Sequence, residues 1–138
     1  MNTTDAAGLH RAMFRAIEHR DFPGIRELFA PDAIHTSPDG EPVTGPEPVI
    51  AEVRSFVKAF PDLTIEIRHQ HVPDPSRSII EYTFSGTHSG PLEDIAPTGE
   101  PVAVVACSVL EAEDGAIRRE SDYYDTTAML TQLGVMGR

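Results

Sequence analysis

Residues 60–72 read FPDLTIEIRHQHV, and within them the spacing of the apolar side chains changes. Upstream, over 45–60, Val49, Ile50, Val53, Phe56, Val57 and Phe60 recur with helical spacing behind Pro46 and Pro48, which predicts a helix. Downstream, Leu63, Ile65 and Ile67 alternate with Thr64, Glu66 and Arg68, the period-two signature of a half-buried strand. The chain therefore divides into a helical N-terminal half and a stranded C-terminal half.

Working toward the N-terminus, residues 5–20 predict an amphipathic helix with Leu9, Met13, Phe14 and Ile17 on one face and Thr3, Thr4 or Asp5 as its cap. A shorter helix is expected over 22–30, with Pro23 in its first turn, Ile25, Leu28 and Phe29 as its apolar stripe, and Pro31 ending it. DAIHTSPDG (32–40) reads as a short strand running into a turn. Toward the C-terminus, strands are expected over 63–72, 78–88, 101–112 and 117–125. PDPSR (73–77) is a turn, 89–100 a loop and EDG (113–115) a hairpin turn. TTAMLTQLG ends as a helical turn capped by Gly134. This is an α+β plan: a curved antiparallel sheet packed on about three N-terminal helices, forming a cone around an apolar pocket. The 138 residues suit one domain, 1–138.

The formal charge of −11 argues against nucleic acid and against an anionic membrane surface. No stretch approaches the ~20 apolar residues of a spanning helix. The N-terminus lacks the pattern of a secretory signal, and one free cysteine fits the cytoplasm. Phosphate-loop, dinucleotide, zinc-protease and nucleophile-elbow motifs are missing from the sequence. Cys107, in VVACSVL, reads as a buried core thiol. His69 and His71 share a strand face but are two ligands only, so no metal is expected there. His10 and His19 read as surface residues of the first helix, and His35 as either a polar group in the pocket or a hydrogen-bonder in a turn.

IRRESDYYD (117–125) carries the chemistry. Alternation puts positions 118, 120, 122 and 124 on one face, so Glu120, Asp122 and Tyr124 stand in a row. The EDG hairpin brings them beside the apolar even face of 101–112, which includes Ser108. If that face lines the pocket, burial and mutual repulsion raise one carboxyl's pKa toward the range of acid–base catalysis. If it faces outward, it is an acidic strand on an acidic protein. The odd face of 78–88 and 101–112, with Ile79, Thr83, Val105, Cys107 and Val109, is apolar enough to predict a homodimer or higher homo-oligomer.

The pieces FPDLTIEI (60–67), GTHSGPL (86–92), APTGEPV (96–102), DGAI (114–117) and YYD…QLG (123–134) together resemble the SnoaL-like polyketide cyclases, of nuclear transport factor 2-like fold. The resemblance implies a cofactor-independent, metal-free enzyme that closes a ring of an aromatic polyketide-type small molecule by intramolecular aldol condensation. It implies Asp122 as the catalytic acid/base. The family's histidine, fourteen positions earlier, falls on Ser108, a departure that leaves Glu120 to share proton transfer. Phe14, Phe60, Tyr82, Phe84 and Tyr124, with His35 and Ser108, are the expected pocket residues. The same resemblance admits a hydroxylase-related or hydrolase relative, or a non-catalytic small-ligand-binding module.

Overall fold

A computed structural model describes residues 5–38 and 40–136. Its elements follow the change of period at residue 60. Helix α1 (Ala6–Glu18) begins where the Asp5 carboxylate accepts from the Gly8 N–H at 2.9 Å, satisfying one of the amides a helix start leaves unpaired. Thr3 and Thr4, the other cap candidates, lie outside the described residues. Helix α2 (Phe22–Leu28) is capped by Asp21 in the same way. Strand β1 (Phe29–Thr36) follows at once, then β2 (Val43–Thr44) and helix α3 (Pro46–Ala59). Strands β3 (Thr64–Asp74), β4 (Arg77–Thr87), β5 (Pro101–Glu113) and β6 (Ala116–Tyr124) precede helix α4 (Thr126–Gln132).

Three expectations shift. The second helix stops at Leu28, and Phe29–Pro31 are extended, because Phe29 takes φ −94° and ψ 138° to pair with Ile117. The two-residue β2 has no periodicity by which a sequence could reveal it. The six-stranded sheet, ordered β2-β1-β6-β5-β4-β3, is antiparallel except where β1 runs parallel to β6, so the sheet is mixed. That parallel pair sets His35 beside Glu120.

The β5–β6 hairpin turns on Asp114 and Gly115, with φ of 54° and 75°, the left-handed pair a two-residue hairpin demands. A bulge follows: Glu111 pairs with Arg119 but Ala112 with Ile117. The additional residue, Arg118, changes the alternation. Arg118 and Arg119 are both exposed, and Ile117 is buried like Glu120. Position 118 thus leaves the row expected for 118–124, while 120, 122 and 124 keep theirs.

The helices pack on the concave face. Leu9, Met13 and Phe14 of α1, Val49 and Ile50 of α3, and Ile80, Phe84, Val104 and Leu110 of the sheet form the core. The convex face of β4–β6 keeps Val105 and Tyr123 68% and 57% exposed. Cys107 lies half-buried on that convex face, opposite Tyr123, not in the core; burial first, then the charges of Glu81 and Asp122, push its thiol pKa up. Among the described residues no helix is long and apolar enough to cross a membrane.

Candidate functional site

Ladder register assembles the site. Ser108 stands directly across from Asp122, Leu110 from Glu120 and Ala106 from Tyr124, all on the concave face. Opposite them α1 supplies His10, Met13 and Phe14, and α3 supplies Glu52 and Phe56.

Glu120 is 1% exposed, and its charge is held by three neighbours. His35 Nδ1 lies 2.6 Å from one oxygen, and the Ser108 hydroxyl donates to the other at 2.5 Å. A hydrogen bond also joins Glu120 to Asp122. The second nitrogen of His35 reaches Glu52 at 3.3 Å. Burial alone would strip His35 of its proton, but the hydrogen bonds and charges of the two glutamates outweigh it and raise the pKa to about 10. With a carboxylate on each nitrogen, both nitrogens donate and the ring is imidazolium.

On the other side of Ser108 lies His10, fully buried rather than on the surface as its helix position suggests. Its Nε2 is 2.9 Å from Ser108 Oγ and its Nδ1 2.7 Å from Ser78 Oγ. The direction of this chain follows from its ends. Ser108 spends its proton on Glu120, so it accepts from His10 Nε2–H; His10 Nδ1 then accepts from Ser78, which accepts from Gln70 at 3.0 Å. His10 is therefore neutral. Burial, partly opposed by the Glu120 charge, lowers its pKa to about 4. An imidazole thus stands against Ser108 after all, supplied by α1.

Asp122 lines the cavity itself. Burial first, then the charge and hydrogen bond of Glu120, push its pKa well above the usual carboxylate range, against a smaller opposing pull from His35. Tyr82 donates to its carboxyl at 3.1 Å; burial and the nearby carboxylates raise the phenol's pKa, so it remains a donor. Around Asp122 the walls are Phe14, Phe84, Tyr124 and other apolar groups, enclosing about 90 Å³. A second cavity of about 430 Å³ lies under α4 and the 92–95 loop and shares Glu52, Phe56 and Tyr124 with the first.

Of the expected site residues, His35, Ser108, Glu120, Asp122, Phe14, Tyr82, Phe84 and Tyr124 meet here. Phe60 packs elsewhere, against Phe56 and the buried His88. Two residues of the site are unexpected there: His10, which the sequence reads as a surface residue, and Glu52, which it does not mark. His10 is one turn before Phe14, on the apolar stripe of α1. Glu52 sits among Val49, Val53 and Phe56 on the inward face of α3. In both cases the available signal was a lone polar residue inside an apolar stripe. One atom each from His35, Glu120 and Asp122 lie within 4.8 Å of one another, a donor set that suits a small divalent cation by type. Here the three groups instead satisfy one another, with the imidazolium as the local cation.

The family model for SnoaL-like polyketide cyclase matches residues 7–133. No curated protein matches the sequence. AclR from Streptomyces galilaeus, described as a candidate hydroxylase, is 26% identical with a TM-score of 0.83, over 96% of this chain and 82% of its own. IdmH from Streptomyces antibioticus, described as a candidate polyketide cyclase, is 26% identical with a TM-score of 0.78, over 94% and 98%. A protein of ketosteroid isomerase-like fold from Catenulispora acidiphila, solved with trimethylamine, is 20% identical with a TM-score of 0.79, over 95% of each chain.

Proposed function

The chain belongs to the SnoaL-like polyketide cyclase family, and from that premise we propose that it closes a ring of an aromatic polyketide-type substrate by intramolecular aldol condensation, with Asp122 as acid/base and no cofactor. The observation that carries this reading is a carboxyl group, Asp122, lining an apolar cavity with its proton held by burial and by Glu120. A carboxylic acid kept neutral near pH 7 can give its proton to a carbonyl oxygen as negative charge develops there. Tyr82 orients that carboxyl. Phe14, Phe84 and Tyr124 press a flexible chain into a reactive fold, a proximity effect. His35, Ser108 and Glu120 act from behind Asp122 by setting its proton affinity. Neither cavity presents a lysine, arginine or histidine, so a neutral ketone or ester fits better than an anionic substrate.

Asp122→Asn should lower turnover by roughly 10²–10⁴-fold, the usual contribution of a positioned acid/base, with an unchanged circular dichroism spectrum. Turnover equal to wild type would remove Asp122 from the mechanism. Ser108 at the family's histidine position, together with the similarity to AclR, supports a hydroxylase-related second reading. Mass spectrometry of products separates the two, since aldol condensation loses water and hydroxylation adds oxygen. The protein is further proposed to act in the cytoplasm as a homodimer joined through the convex face around Val105 and Tyr123. A monomer by light scattering at micromolar concentration would contradict that assembly.

A further inference from the structure

Aldol closure in one concerted step needs two proton carriers in opposite states at the same moment. One must be a base that removes the proton alpha to a carbonyl. The other must be an acid that protonates the carbonyl oxygen under attack. Two carboxyl groups bond each other only through a shared proton, and Glu120 already accepts from His35 and Ser108, so Asp122 carries that proton into the cavity and fills the second role. Glu120 cannot fill the first, because it is sealed from the cavity and its oxygens are occupied by His35 and Ser108. Tyr82 and Tyr124 are phenols, poor bases near neutrality.

Glu52 remains. It projects from α3, across the cavity from β6, and lines both the inner and the outer compartment. Its side chain is 34% exposed, and the imidazolium of His35 hydrogen-bonds it. A continuous hydrogen-bonded path runs Glu52–His35–Glu120–Asp122.

We propose that Glu52 is the second catalytic carboxylate of this site, the base that removes the substrate's α-proton while Asp122 protonates the attacked carbonyl, with His35 and Glu120 as the proton-return path between them. The inference rests on the ring-closure reading above. The step balances without redox change. The C–H electron pair becomes the new C–C bond, the C–H proton goes to Glu52, and the carbonyl π pair takes the Asp122 proton to become a hydroxyl. Glu52 is then acid and Asp122 anion. The site resets in three transfers: His35 passes its Nδ1 proton to Glu120, Glu120 passes one to Asp122, and the neutral ring turns over to present its bare nitrogen to Glu52, takes the Glu52 proton and is imidazolium again. A site with one carboxyl in the cavity would instead depend on bulk water to reset.

A neutral aryl 1,5-diketone in D₂O, followed by proton NMR, reads the two roles separately. Deuterium exchange at the α-carbon reports the base, and ring closure reports the acid. Wild type should do both. Glu52→Gln, isosteric and still able to bond His35, should lose exchange and closure together by on the order of 10²-fold. Asp122→Asn should lose closure yet keep exchange. Glu52→Asp, which keeps the carboxylate but retracts it, should recover part of the exchange with little change in KM. Exchange by Glu52→Gln at the wild-type rate, or loss of exchange in Asp122→Asn alone, overturns the assignment while leaving the cyclase reading in place. A wild-type protein that neither exchanges nor closes the diketone overturns the cyclase reading, and this assignment with it.

Discussion

Two histidine–carboxylate pairs in this protein have nearly the same length and different physics. His35 meets Glu120 at 2.6 Å on the pocket floor; His71 meets Glu81 at 2.7 Å near the open edge, between β3 and β4. The first pair is almost wholly buried, whereas about half of each side chain of the second is in water. In water, screening and side-chain entropy cancel most of the attraction. On the pocket floor only protein groups compensate each charge, His35, Ser108 and Asp122 for Glu120 and the two glutamates for His35, so the cluster must exist whole or be costly. Contact distance alone therefore says little about which pair sets the properties of the molecule.

Removing one partner should break that contrast most sharply. Glu120→Gln leaves the His35 environment without its main anion and should destabilise the fold by about 3–5 kcal/mol, read by chemical denaturation. Glu81→Gln, at the edge, should leave the denaturation midpoint unchanged within error. Equal losses from the two would mean that burial is not what separates them.

Next in size is the loss of one hydroxyl. Ser108→Ala leaves His10 Nε2–H and one Glu120 oxygen without their bridge, and should cost about 1–3 kcal/mol. It should also lower the rate of any proton transfer at Asp122, since Glu120 then holds its charge less well.

The pH dependence of stability sharpens the comparison further. His35 has its pKa raised from 6.5 to about 10, so its contribution is complete below pH 6.5 and is lost as pH rises toward 10. Asp122, also raised, loses its contribution in the same upward direction. His10 is lowered from 6.5 to about 4; its contribution is complete above pH 6.5 and is lost as pH falls toward 4. His35→Gln should flatten the alkaline side of a thermal-stability profile, and His10→Asn the acid side below 6.5. The smallest effect should come from His71→Gln, with a thermal midpoint at neutral pH unchanged within error.

The features that a sequence shows well are those that repeat. The change of period at Phe60 locates the boundary between helices and long strands, and alternation over 120–124 puts Glu120, Asp122 and Tyr124 in one row. What alternation cannot show is a single inserted residue, and Arg118 changes the row just before it reaches the site. Nor can local pattern show which distant group fills a gap. Ser108 reads as a departure from the family's histidine, yet ninety-eight residues earlier His10 supplies an imidazole through the packing of α1 on the sheet. Glu52 escaped notice for a related reason, being one acid in an apolar stripe whose meaning depends on His35 across the cavity. Phe60 shows the converse: an aromatic in the right pattern, but turned toward Phe56 and His88 instead of the cavity.

The state of the Asp122 carboxyl tests the account most directly. Carbon-13 NMR of aspartate- and glutamate-labelled protein across a pH series follows each carboxyl through its titration. The expected result is a carboxyl resonance still protonated at neutral pH and missing from Asp122→Asn, the signature of a coupled pair in which one member keeps its proton. Complete ionisation of every carboxyl by about pH 5, close to the ordinary carboxylate range, would contradict it.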